Sequence, residues 1–184
     1  MTDAAALAGL NPDRTVLVVV DVQEAFRPAI DGFDRVVERC VRAVRGAALL
    51  GLPVVVTEQY PQGLGETVAE LRDVLPEGTE RHPKTVFSAA RARGFHLKGR
   101  DQVVLVGIEA HVCVQGTALD LLRQGLAVHV AGDAVGSRTA EDREAGLTRV
   151  SRGGALVGTT ESVLLELLGD AAHPHFKSIQ ELIR

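Results

Sequence analysis

The chain has 184 residues, 46% of them hydrophobic, which suits one domain with a sizeable buried core. Aromatic residues make up only 3%, with no tryptophan, so stacking platforms for single-stranded nucleic acid are scarce. The formal net charge is −4 without a long basic run, which argues against a surface built to neutralise phosphates; no nucleic-acid partner is expected.

The opening stretch, MTDAAALAGL, lacks the basic segment and long apolar run of a secretory leader. Residues 15–21 (TVLVVVD) form a β-branched run that predicts a strand buried on both faces. Over 33–50, Val36, Val37, Cys40, Val41, Val44 and Ala48 share one face of a predicted helix. Residues 53–57 read as a second strand, and 58–65 (EQYPQGLG) as a loop bordering the site. A weak strand signal lies at 79–82 and a strong one at 102–108. A helix over 114–124 groups Val114, Ala118, Leu121 and Leu122; a strand follows at 127–131. Then come a helix at 141–151, a short strand at 155–157 and a helix at 160–168. Gly51 and Gly125 fall where helix C-caps belong. Residues 169–184 form a tail ending in a short helix, packed on the domain or on another subunit. No apolar run approaches the ~20 residues that span a bilayer, so no membrane partner is expected. The alternation predicts a single three-layer α/β/α domain over 1–184, with a core at about 14–168. Its sheet is mainly parallel, Rossmann-like, with five to six strands and right-handed crossovers.

In such a sheet, ligands bind beyond the carboxyl ends of the strands. Asp21 ends the first strand, Lys84 follows the weak one, and Cys113 lies in the segment leading from the third into a helix. An acid, a cation and a thiol thus map to one edge. A thiol attacks as its thiolate; a helix N-terminus and a neighbouring lysine favour that form, and a carboxylate takes the proton. Taken singly, a strand-end Asp is usually a turn residue, a surface Lys usually solvated, and a Cys usually packing. Cys40, on an apolar helix face, fits packing well. Both cysteines read as free thiols in a reducing compartment, which makes the cytoplasm the expected location. No G-x-G-x-x-G follows the first strand, so no nicotinamide cofactor is expected.

Three segments carry a family likeness: Val18-Val-Val-Asp-Val-Gln-Glu-Ala-Phe26, Lys84-Thr-Val-Phe-Ser-Ala89 and Gly107-Ile-Glu-Ala-His-Val-Cys-Val-Gln-Gly-Thr-Ala118. In this order and spacing the chain resembles the isochorismatase-like cysteine hydrolases over roughly 14–168. TEQYPQGLG at 57–65 and GDAAHPHFKSIQ at 169–180 resemble the isochorismatase-domain-containing subgroup, whose substrate is unsettled. The resemblance implies Cys113 as nucleophile, Asp21 as general acid and base, and Lys84 as electrostatic support. It also implies a cis Ile108–Glu109 peptide, with the Glu109 and Cys113 amides as oxyanion hole. Gln23, Phe26, Tyr60 and His82 are expected to bind substrate. No cofactor is implied. Nicotinamidase members carry a metal-binding Asp-x-His where this chain reads Thr57-Glu58-Gln59-Tyr60, so no metal site is expected there. His173 and His175 read as a helix start rather than a metal pair, and His129 as structural. His111 either lines the pocket or caps the helix.

The expected activity is hydrolysis of a small-molecule amide or other C–N bond through a Cys113 thioester. The alternatives are vinyl-ether hydrolysis without covalent catalysis, as in isochorismatase proper, and a non-catalytic binding protein on the same fold. A redox thiol role ranks last, since no C-x-x-C pair occurs. The resemblance further implies a homo-oligomer, a dimer or tetramer.

Overall fold

The computed structural model describes residues 9–184; most of the opening stretch read for a leader lies outside the described residues. Six strands form one all-parallel sheet: β1 (Thr15–Val20), β2 (Val54–Gln59), β3 (Arg81–Lys84), β4 (Gln102–Ile108), β5 (Ala127–Gly136) and β6 (Leu156–Gly158). Their spatial order is β3-β2-β1-β4-β5-β6, so the chain reverses its direction of travel between β1 and β4. β1 and β4 are buried at every position because both faces are covered. Leu17, Val19, Val104 and Val106 pack towards α1 (Phe33–Leu49) and α6 (Thr160–Leu168). Val16, Val18, Val103 and Leu105 pack on the other face, with α4 (Gln115–Arg123) and α5 (Ala140–Arg152). The α/β class, the parallel sheet and the layering agree with the sequence.

Several boundaries differ, each for a local reason. β5 runs to Gly136, past the predicted end at 131. Its pairing skips between Leu105↔Val130 and Gly107↔Val135, and Gly132 and Asp133 in that bulge interrupt the apolar run. β3 begins two residues later than its signal; it is an edge strand with alternate residues buried, where Pro83 is tolerated. The predicted loop 58–65 is partly ordered: β2 continues to Gln59, then α2 (Pro61–Leu64) makes one helical turn with proline at its first position. A further turn, α3 (Ala69–Arg72), had no sequence signal. The tail forms α7 (Phe176–Ile183), which buries Ile179 against Leu164 and Leu168 of the same chain. Its apolar face is therefore occupied within the domain. Pro174 precedes the helix rather than lying in its first turn, and the His175 amide donates to His173 Nδ1 in a local turn. Among the described residues, no helix is long and apolar enough to cross a membrane.

Candidate active site

The strand order reverses between β1 and β4, and an open sheet leaves a crevice at that point. β1 ends at Val20, one residue before the predicted end, and Asp21 follows with φ 54. That left-handed conformation costs an aspartate roughly 1 kcal/mol. It is held by the Asp21 amide donating to Thr57 O (3.1 Å) and the Gln23 amide donating to Asp21 O (2.9 Å). The turn redirects the chain across the strand ends. On β4, Gly107 has φ 114, and a Cβ there would sit 2.1 Å from Val20 O. Only glycine lets the two strands close up beneath the site. The Ile108–Glu109 peptide is cis, as the resemblance implies. A π-helical turn, Ala110–Val114, then carries Cys113 into α4.

Four neighbouring strands deliver the groups, two of them from β2. Lys84 Nζ, at the end of β3, lies 2.6 Å from Asp21 Oδ2 and 3.6 Å from Cys113 Sγ. Both charged side chains are almost fully buried. From β2, Thr57 Oγ1 donates to Asp21 Oδ1 (2.7 Å), and Gln59 Oε1 accepts from Lys84 Nζ (2.5 Å). The carbonyls of Val86 and Phe87 accept from the same ammonium at 3.2 and 3.0 Å. Thr57 engages Oδ1, while Oδ2 meets the Lys84 ammonium as an ion pair.

Burial raises the Asp21 carboxyl above its ordinary value, against the opposing pull of Lys84, Thr57 and Cys113. Burial, together with the Asp21 charge, pushes the Cys113 thiol up to about 12, outweighing Lys84. The thiol is therefore held in its protonated form beside the Asp21–Lys84 pair. Cys113 lies in the helical turn that runs directly into α4, in the strand-to-helix segment where the sequence places it.

The other expected site residues divide. Gln23 is fully buried: its Nε2 donates to Gln59 O (3.0 Å) and Gly65 O (2.6 Å), and its Oε1 accepts from the Gln59 amide (2.7 Å). It fixes the backbone that aims Gln59 at Lys84. Phe26 packs half-buried on the core. Tyr60 is exposed at φ 39, its amide bonded to Lys84 O (2.7 Å), so it borders the trio. His82 groups with Glu80, Phe95 and His96 instead, and burial lowers its pKa. Glu109 Oε2 accepts from Arg138 Nε (3.0 Å), and His111 Nδ1 meets Ser137 Oγ (3.1 Å). Cys40 is core, its Sγ towards Ala134 O (3.4 Å) and its thiol raised by burial. His129 is buried in β5. Sequence reasoning missed Thr57 and Gln59 as site residues. Their signal is parallel register: Thr57 pairs with Val20, beside Asp21, and Gln59 pairs with Lys84.

A family model described as the isochorismatase domain matches residues 15–162. The chain belongs to the isochorismatase domain family. That membership supports a hydrolase. Isochorismatase domain-containing protein 1 from Salmo salar is 46% identical over 187 residues, covering 100% of this chain and 65% of that protein. Isochorismatase domain-containing protein 2 from Homo sapiens is 46% identical, covering 97% of this chain and 87% of its own length. This isochorismatase domain thus spans about two thirds of the first of these relatives. The structure of MAR1 ribonuclease from Caenorhabditis elegans superposes with a TM-score of 0.90 at 42% identity, covering 96% and 92% of the two chains.

Proposed function

We propose that the chain hydrolyses a small-molecule amide or other C–N bond through a thioester on Cys113, with Asp21 as general acid and base. The observation that carries this reading is the buried contact of Lys84 with both Asp21 Oδ2 (2.6 Å) and Cys113 Sγ (3.6 Å). As sulfur attacks the carbonyl, the thiol proton passes to Asp21 Oδ2. During the proton transfer the trio keeps its net charge, because the carboxylate is neutralised as the sulfur turns anionic; as the C–S bond forms, that charge passes to the carbonyl oxygen. Lys84 faces both atoms and supports the transfer without moving. The Glu109 and Cys113 amides serve the oxyanion in this reading. Asp21 then gives its proton to the leaving nitrogen as the C–N bond breaks. Water attacks the thioester, Asp21 takes its proton, and that proton returns to sulfur as the acid leaves. The sum is amide plus water giving acid plus amine. The protein is expected to work as a homo-oligomer, as the family resemblance implies.

Vinyl-ether cleavage would use Asp21 and Lys84 without the thiol. The Caenorhabditis elegans relative is named a ribonuclease, yet this chain has neither a basic run nor the aromatic content of a single-strand binder. The test is a panel of small amides against native protein and Cys113→Ala, with intact-mass analysis of the stalled reaction. The expected result is turnover lost in the variant and an acyl adduct on Cys113 in the native protein. Full turnover by Cys113→Ala would remove the thioester mechanism and favour acid–base chemistry.

A further inference from the structure

Outside the active site, Glu80, His82 and His96 place one donor atom each within 4.8 Å of the other two, the one such group of three among the described residues. Glu80 immediately precedes β3, His82 lies on β3, and His96 comes from the irregular segment that follows. Glu80 Oε1 is held by Lys98 Nζ (2.5 Å), while Oε2 faces both imidazoles. His96 Nε2 bonds to Oε2 at 3.0 Å. His82 Nε2 stands 3.4 Å from the same oxygen but makes no hydrogen bond, although it is sealed from solvent on a residue only 9% exposed. A buried ring nitrogen without a partner calls for an explanation.

We infer that Glu80, His82 and His96 form a binding site for a late first-row divalent metal, represented by Zn²⁺. Two imidazoles and one carboxylate are a borderline ligand set that suits zinc and its neighbours rather than magnesium or calcium. Tetrahedral bonds of about 2.0–2.2 Å place ligand atoms roughly 3.3–3.6 Å apart. The 3.4 Å His82–Glu80 edge already matches. The 3.0 Å His96–Glu80 edge has to open by a few tenths of an ångström, and His96, half-exposed on its loop, is free to do so. One cation would give the orphaned His82 nitrogen its partner and leave the fourth position to water. Lys98 opposes it, since its ammonium already neutralises Glu80.

The consequence is mechanical rather than catalytic. β3 is an edge strand, paired only with β2, and its last residue is Lys84. His82 lies two positions earlier, on the same buried side. A metal there pins the 92–101 segment to the strand that presents the lysine. The site does not depend on the thioester reading.

The test measures Zn²⁺ binding by equilibrium dialysis and Co²⁺ binding by its visible absorption. It uses the Cys113→Ala background, so that no active-site thiol competes, and Mg²⁺ as control. The expected result is one Zn²⁺ per chain and a higher melting temperature with metal. His96→Ala and His82→Ala should each weaken binding by at least about tenfold, and Lys98→Ala should tighten it severalfold. His96 is half-exposed, so its alanine variant keeps the fold, which circular dichroism verifies. Absence of saturable Zn²⁺ binding would overturn the site. So would unchanged binding in His96→Ala, which would place the metal elsewhere, for example on His173 and His175.

Discussion

Asp21→Asn removes the carboxylate that helps keep the Cys113 thiol protonated, and the expected result is a dead enzyme with a more reactive cysteine. In the native site the Asp21 charge and hydrogen bond both raise the thiol, while Lys84, 3.6 Å from sulfur, lowers it. At that separation an ammonium favours a thiolate by about 4 kcal/mol for an effective dielectric near 20. Most of this is cancelled while Asp21 is ionised. Once released, it lowers the thiol well below its native position near 12. At neutral pH the thiolate fraction rises about a thousandfold, and the weaker nucleophilicity of a less basic thiolate takes back a factor of about thirty. Alkylation should therefore speed up by about thirtyfold. The assay is iodoacetamide labelling at several pH values, read at Cys113 by peptide mass spectrometry. Cys40, fully buried, reports any unfolding. Labelling of a folded Asp21→Asn protein at or below the native rate would refute this electrostatic account. So would a native labelling profile that already reaches its plateau below pH 7.

The raised thiol also makes stability depend on pH. A thiol ordinarily near 8.5 when unfolded, but about 12 when folded, contributes stability that is complete below 8.5 and lost as pH rises towards 12. Unfolding free energies from urea titrations should fall across that window, by about 1.4 kcal/mol per pH unit for this group, and Cys113→Ala should make the slope shallower while the buried Cys40 thiol keeps its share; an unchanged slope would contradict the assignment. Gln23→Ala removes three hydrogen bonds at Gln59 and Gly65, which should cost about 2–4 kcal/mol and lower the melting temperature by several degrees. A loss below about 0.5 kcal/mol would show that the 59–65 backbone holds itself.

The sheet was legible because burial on both faces writes itself as a run of valine and leucine. β1 and β4 carry such runs, and the residues beyond them, Asp21 and Cys113, follow from the strand-end rule. β3 was faint because an edge strand of Arg-His-Pro-Lys has no apolar run to announce it. Short turns such as α3 arise from tertiary packing of Leu71 rather than from periodicity. Gln23 was read as facing substrate since its place beside Asp21 is visible, whereas its bonding to Gly65, 42 residues away, is not. How strongly burial holds the thiol protonated was not legible for a similar reason. A sequence names the charges around a sulfur but not how far burial outweighs them.

Because β1 is the first strand among the described residues and central in the sheet, its partners arrive at very different times during synthesis. β2 follows closely, but Thr15 waits 87 positions for Gln102. Until β4 emerges, the largely apolar β1 strand has one open edge, a surface that invites pairing with another chain. A ribosome paused between β3 and β4 would hold the most aggregation-prone intermediate this topology can produce. Dependence on chaperones should concentrate in that interval.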